Sequence, residues 1–315
     1  MTLLVTGATG HVGGAIMRQA AACGMDVIAV SRDEQPGTSA SVKRLRCDLN
    51  DAAAVRAFAA QHKIDACIHA AAISNEAFAR PDPLGAIATN VGGTANLLDA
   101  ARLSGWRRFV LISTGSVFSL VSDATKPIFE DQETAPQNVY STTKRAAEML
   151  TRMYRTEYEL SAAAVRISWV FGPPVISDQP MRGPIPSYLL RALRGEPIRE
   201  GGADFAASFT YVADVAAALL AAAAAPELRH PLYHFGHGVN FTAAQAADAV
   251  RKTVPGAVIA LSGGTEPWTR YTALRGPLAG ARFLQDTGYA PAHSLEAGIA
   301  AYAEWMRANP ETWKS

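Results

Sequence analysis

Cysteine is scarce: three residues in 315, Cys23, Cys47 and Cys67, with no CxxC pair. A disulfide framework needs an even set at close spacing, so reduced thiols in a cytoplasmic setting are the expectation. Charge is also sparse, at 18% of residues with a net of +1. The basic residues are scattered, which excludes the electrostatic footprint of a nucleic-acid binder and turns attention to small-molecule partners. Long apolar runs are missing too. The longest alanine-rich run, "VAAALLAAAAA" from Val215, falls far below the roughly 20 residues of a membrane-crossing helix. The opening "MTLLVTGATG" has no basic segment, so no secretory leader and no membrane association are expected.

What remains is a chain 49% hydrophobic, long enough to bury a large core in one large domain or two interleaved ones. Short apolar runs at 3–7, 26–30, 66–71, 109–114 and 161–168 alternate with segments of helical length and periodicity. Strands apolar on both faces, separated by helices, predict an α/β fold with a doubly wound parallel sheet of Rossmann type. After about residue 172 the texture changes: "FGPPVISDQPMRGPIP" is dense in proline and glycine, and the segments beyond it are shorter and irregular. The predicted organisation is a dinucleotide-binding domain over 1–172, with 206–238 returning to it, and a smaller C-terminal α/β substrate-binding cap from 173–205 and 239–315. The alanine-rich helix is expected to begin near Asp214.

The first strand runs into "TGATGHVGG", with Gly7, Gly10 and Gly13 ahead of a helix. Glycines in that place allow a tight turn and a close backbone approach to a pyrophosphate, which the free N–H groups of the helix start then stabilise. The second strand should end beside the adenosine ribose. There the chain carries Ser31 and Arg32. An acid would favour a free 2′-hydroxyl, whereas an arginine suits a 2′-phosphate, so NADP is expected ahead of NAD, with Asp33 and Glu34 opposing that preference.

Seven short segments occur in an order that resembles the extended short-chain dehydrogenase/reductase family, of NAD-dependent epimerase/dehydratase type. They are "TGATGHVG", "CDLND" at 47–51, "IHAAA" at 68–72, "ATNVGGTANLLDAA" at 88–101, "ISTGSVF" at 112–118, "YSTTK" at 140–144 and "FTYVADV" at 209–215. The resemblance implies a cofactor site of Gly7, Gly10, His11, Val12, Gly13, Ser31, Arg32, Asp48, Leu49, Ala70, Ala71 and Ala72, with Asn90 on a helix behind it. It implies that Tyr140 and Lys144, one helical turn apart, face the nicotinamide, with Thr114 ending the neighbouring strand. Tyr140 would exchange a proton with the substrate oxygen, Lys144 would acidify that phenol and hold the ribose, and Thr114 would bond the substrate oxygen. A homodimer through the helix of the tyrosine motif and the one before it is also implied.

The chain departs from the family's nucleotide-sugar pattern. Trp169 stands where an asparagine is usual and Ala207 where an arginine is usual, and Gly115 and Ser116 replace the acids that dehydratases carry. Each lost charge-assisted contact to a diphosphate is worth roughly 1.5–3 kcal/mol; Arg182, Arg191 or Arg275 are the available substitutes. Ser116 and Trp169 are candidate substrate contacts, Trp169 either stacking on a sugar ring or filling the interface between sheet and cap. The expectation is an NAD(P)-dependent oxidoreductase acting on a secondary alcohol or carbonyl of a small carbohydrate-like substrate. The alternatives are an epimerase working through a transient ketone and, more remotely, an NADP-sensing regulator. His230, His234 and His237 lack a completing carboxylate or cysteine, so no metal is expected.

Overall fold

The computed structural model describes residues 1–32, 41–118 and 123–314. Asp33 and Glu34, which bear on cofactor choice, lie outside them. A seven-stranded sheet, parallel throughout, forms the centre. Its first six strands in chain order are β1 (Thr2–Thr6), β2 (Asp26–Ser31), β3 (Val42–Arg46), β4 (Ala66–His69), β5 (Arg108–Thr114) and β6 (Ala162–Ile167). In space they run β3, β2, β1, β4, β5, β6, and Leu232–His234 completes the sheet beside β6.

The strand order reverses between β1 and β4, where the crevice beyond the strands' carboxyl ends is the place a doubly wound sheet holds a ligand. Leu3, Leu4, Val5, Ala66, Cys67, Ile68, Phe109, Val110 and Leu111 are all inaccessible. Burial on both faces explains why these strands read as unbroken apolar runs rather than alternating ones.

Helices cover both faces. Of these, α1 (His11–Ala22), α2 (Ala52–Gln61), α3 (Glu76–Ala79), α4 (Pro83–Ile87), α5 (Gly93–Leu103) and α6 (Val139–Glu157) belong to the first half. Beyond β6 come α7 (Pro184–Leu193) and α8 (Val212–Ala224), then helices Ala243–Thr253 and Leu295–Ala308. The alanine-rich helix α8 begins two residues before Asp214, which sits in its first turn, buried, and accepts from the His293 backbone N–H (3.0 Å) and ring Nδ1 (2.8 Å).

Strand β3, "VKRLR", was not foreseen. It is an edge strand, with Lys43 and Arg46 exposed. Charge on an edge hinders pairing with another chain and also erases the apolar signal by which a strand is read.

Among the described residues no helix is long and apolar enough to cross a membrane.

Candidate active site

A single cleft brings together the ends of β1, β2, β4 and β5, the first turn of α6 and segments from the second half of the chain. Gly7, Gly10, His11, Val12, Gly13, Ser31, Arg32, Leu49, Ala70, Ala71 and Ala72 line it, together with Thr114, Ser116, Tyr140, Lys144 and Trp169. Asp48 does not: its carboxylate accepts the Asn50 N–H at 3.0 Å, and Cys47 lines the cleft instead.

The glycine turn is tight in the way a pyrophosphate needs. Gly7 has φ +64°, and a Cβ added there would lie 2.7 Å from Ala71 Cα. A Cβ on Gly13 would lie 2.2 Å from the Gly7 carbonyl oxygen. Without side chains the backbone and the N-terminus of α1 face the cleft directly, so these residues fit a dinucleotide. His11 ties the turn to the far side of the cleft through Nε2 and the Gly172 carbonyl (2.9 Å); burial draws its pKa down to about 4.

Beneath the cleft a buried polar chain joins β1 to α6. Thr6 Oγ1 meets His69 Nδ1 at 2.7 Å, His69 Nε2 meets Thr94 Oγ1 at 3.0 Å, and Thr94 donates to the Asn90 carbonyl at 2.7 Å. Asn90 Nδ2 donates to Thr143 Oγ1 (3.0 Å) and to the Ile73 carbonyl (3.1 Å), while its Oδ1 accepts the Ile73 N–H (2.8 Å). A wide helical turn over Ala88–Gly92 carries this asparagine, a local irregularity often found at functional sites. Desolvation lowers the His69 pKa to about 3, so the ring is neutral near neutral pH and the chain carries no net charge. Satisfied buried networks of this kind fix one geometry.

Helix α6 starts where it does because Asn138 and Ser141 form a capping box; Asn138 Oδ1 accepts the Ser141 N–H at 2.8 Å, worth about 1 kcal/mol. The Tyr140 N–H is bonded by Glu76 Oε2 at 3.1 Å, which fixes the first turn against α3. One turn on, Lys144 is 3% exposed. Burial lowers its pKa to about 8, and the Glu148 carboxylate, also buried, opposes that fall. Glu148 accepts from Ser113 Oγ at 2.6 Å and from Arg166 Nε and Nη2 at 2.8 Å each.

The phenol of Tyr140 differs from expectation. Burial raises its pKa, and the groups that pull it back down are the Thr114 hydroxyl, by hydrogen bonding, and the Arg275 guanidinium, by charge; Lys144 is not among them. Thr114 ends β5, 8% exposed, and accepts the Ser116 N–H at 3.1 Å.

Trp169 both lines the cleft and fills the interface: its ring meets Phe205 edge-on at 5.2 Å and Phe209 at 6.2 Å. Ala207, in the family's arginine position, is buried in a two-residue ladder with Phe241. Of the three substitute arginines, Arg182 and Arg275 line the cleft, whereas Arg191 is turned to Glu200 (2.6 Å). Trp268 and Tyr271 also line it, and no motif or spacing marks either in advance. His234 is buried, bonding the Ile128 carbonyl through Nδ1 (3.1 Å) and facing Arg166 Nη1 through Nε2 (3.3 Å).

Fold and cleft together define a dinucleotide-binding α/β enzyme. Residues 3–235 match the NAD dependent epimerase/dehydratase family, and the chain belongs to it. It is 32% identical over 232 residues to a dTDP-4-dehydro-6-deoxy-D-allose reductase of a Streptomyces species, covering 70% of this chain and 71% of that one. It is 30% identical over 267 residues to the UDP-glucose 4-epimerase of Streptomyces lividans, covering 79% and 80%. A solved structure of MoeE5 with UDP-glucuronic acid and NAD superposes with a TM-score of 0.81 at 27% identity, covering 98% of this chain and all of the other. Two other matches cover less of the relative: 172 residues matched to the low-salt glycan biosynthesis protein Agl12 of Haloferax volcanii are 54% of this chain and 53% of that one, and the match to a trifunctional UDP-glucose 4,6-dehydratase, epimerase and reductase of Arabidopsis thaliana spans 88% of this chain and 41% of that protein.

Proposed function

We propose that the chain moves a hydride between a nicotinamide cofactor and a secondary alcohol or carbonyl of a small carbohydrate-like substrate. The observation that carries this is the convergence of Thr114, Tyr140 and Lys144 in the cleft that the glycine turn also lines. When bound, the nicotinamide supplies the hydride acceptor or donor.

The chain's own residues manage the proton. As the phenolate, Tyr140 takes it from the substrate hydroxyl; as the phenol, it returns it to the carbonyl oxygen and becomes the phenolate, and Thr114 holds that oxygen by hydrogen bonding. Lys144, buried and positively charged below about pH 8, holds the ribose. The phenolate that forms is stabilised by the Thr114 hydroxyl and the Arg275 charge. Cofactor choice follows from the edge of the sheet. Arg46, beside Ser31 in register, donates from Nε to the Arg32 carbonyl at 3.0 Å, and Arg32 with Arg46 favours a 2′-phosphate, hence NADP over NAD.

A second reading has specific support. The relatives are named for reactions on nucleotide sugars, one of them an epimerase, and this favours a hydride withdrawn and returned to the opposite face. Against a nucleotide sugar stand Trp169 and Ala207 in the two diphosphate positions. Against dehydration stands the lining itself, in which the one carboxylate among the described residues is Glu76, already engaged by the Tyr140 N–H.

Net conversion of free cofactor separates the readings. Absorbance of the reduced nicotinamide should change stoichiometrically with a small carbohydrate substrate and stay flat with UDP- or dTDP-sugars. Epimerised nucleotide sugar with no net cofactor change would establish the second reading in its place. We also propose a homodimer through α5 and α6, where Leu103 and Met149 are more than half exposed (57% and 59%); analytical ultracentrifugation showing a monomer at micromolar concentration would exclude it.

A further inference from the structure

Arg275 is a cation built into the substrate end of the cleft, and among the described residues no carboxylate pairs with it. It is 8% exposed and lines the cleft. Its Nη1 donates to two neutral oxygens, Thr272 Oγ1 at 3.2 Å and the Ala273 carbonyl at 3.3 Å, and its Nε is buried without a partner. The ionisable group that couples to it is the Tyr140 phenol. Burying a guanidinium without a carboxylate is costly, and burial accordingly draws its pKa down to about 10.

The backbone around it leaves little freedom to swing out. Asn240 Nδ2 donates to the Arg275 carbonyl at 2.8 Å, Ile128 N donates to the Pro277 carbonyl at 2.8 Å, and Ala279 N donates to the Ile128 carbonyl at 3.0 Å. Gly115 makes room for it from the other side, since a Cβ there would stand 3.3 Å from Nε. An acid at 115 would have neutralised this arginine; glycine leaves the charge available.

We infer that Arg275 recognises a carboxylate on the substrate, close to the carbon that exchanges hydride, so that the substrate is a hydroxy acid of the carbohydrate type or its keto counterpart. Nε is closed off beside Gly115, so the donor left for a carboxylate oxygen is Nη2, which has no acceptor among the described residues. Proximity to Tyr140 sets the acid near the reacting carbinol. A phosphate would present more charge than one guanidinium answers, so the carboxylate is favoured; a phosphorylated sugar is an arm of the test.

The inference rests on the hydride-transfer reading and adds the substrate class. The test uses the full chain with its nicotinamide cofactor and three panels: gluconate, threonate and galacturonate; their neutral partners glucitol, threitol and galactose; and glucose 6-phosphate. Cofactor reduction is followed in wild type, Arg275→Met and Arg275→Lys, with cofactor affinity and melting temperature as controls for folding. Binding of each compound to the cofactor-loaded protein is followed by tryptophan fluorescence, since Trp169 and Trp268 line the cleft.

The expected result is that at least one acid binds or reacts about a hundredfold better than its neutral partner. Arg275→Met should abolish that preference in binding to the cofactor-loaded protein, while turnover falls for acid and neutral compounds alike because the same charge stabilises the Tyr140 phenolate; Arg275→Lys should restore part of the binding preference. Neutral partners or the phosphate preferred over every acid would overturn the inference while leaving hydride transfer intact. So would an Arg275→Met variant that keeps the wild-type ratio of acid to neutral binding, which would leave Arg275 acting on Tyr140 alone. Absence of binding by all acids to the loaded wild type would overturn it as well.

Discussion

The cofactor side and the substrate side of this cleft are built in different ways. On the proposed cofactor side each lining residue comes from a short local segment in a fixed place on a strand end: the glycine turn after β1, Arg32 after β2, Ala70 to Ala72 after β4. On the substrate side Trp169, Arg182, Trp268, Tyr271 and Arg275 come from two irregular segments, 169–182 and 268–275, separated by most of the second half of the chain. The first side is fixed by backbone geometry and a satisfied polar network, the second by side chains delivered on long connections. Binding a common cofactor needs the one, and choosing a substrate needs the other.

That contrast can be broken most severely at the glycine turn. Gly13→Val places side-chain atoms against the Gly7 carbonyl, a backbone group that cannot yield. Cofactor affinity should fall by at least about a hundredfold, as measured by fluorescence titration, while the tryptophans on the substrate side keep their environment.

Lys144→Met sharpens it by separating function from stability. Turnover should fall by about a hundredfold or more, yet the cofactor-free protein should become more stable. The sign follows from the lysine's folded pKa of about 8 against its ordinary 10.5. Below pH 8 the wild type carries a buried ammonium whose cost is constant; between 8 and 10.5 that cost shrinks as the unfolded chain alone still binds the proton. The variant's advantage should therefore be largest below pH 8, on the order of 1–3 kcal/mol after allowing for the Glu148 partner, and should vanish above about pH 10.5. Melting curves across that range decide it; equal stability at all pH values would show that the ammonium is not desolvated.

The same contrast explains what could be read in advance. The five foreseen strands are apolar on both faces, a pattern that survives in one dimension, and the glycine spacing sits where strand gives way to helix. Strand β3 escaped because an edge needs charge, and the charge hides its period. Asp48 is missing from the lining between Cys47 and Leu49, its carboxylate turned to the Asn50 N–H. The source of positive charge near Tyr140 was expected one helical turn away, at Lys144. The structure instead brings Arg275 from 135 positions further along the chain, and no local pattern announces such a meeting. Arg182 and Arg275 could be singled out beforehand only as unassigned cations, because which arginine reaches the cleft depends on how the second half packs.

The central claim is that one phenol handles the substrate proton while the glycine turn holds the cofactor independently of it. Tyr140→Phe tests this most directly, with turnover and cofactor dissociation constant measured on the same preparation. The account predicts that turnover falls by about 10²–10⁴-fold while the dissociation constant changes by less than about threefold. A variant that turns over at nearly the wild-type rate would contradict it.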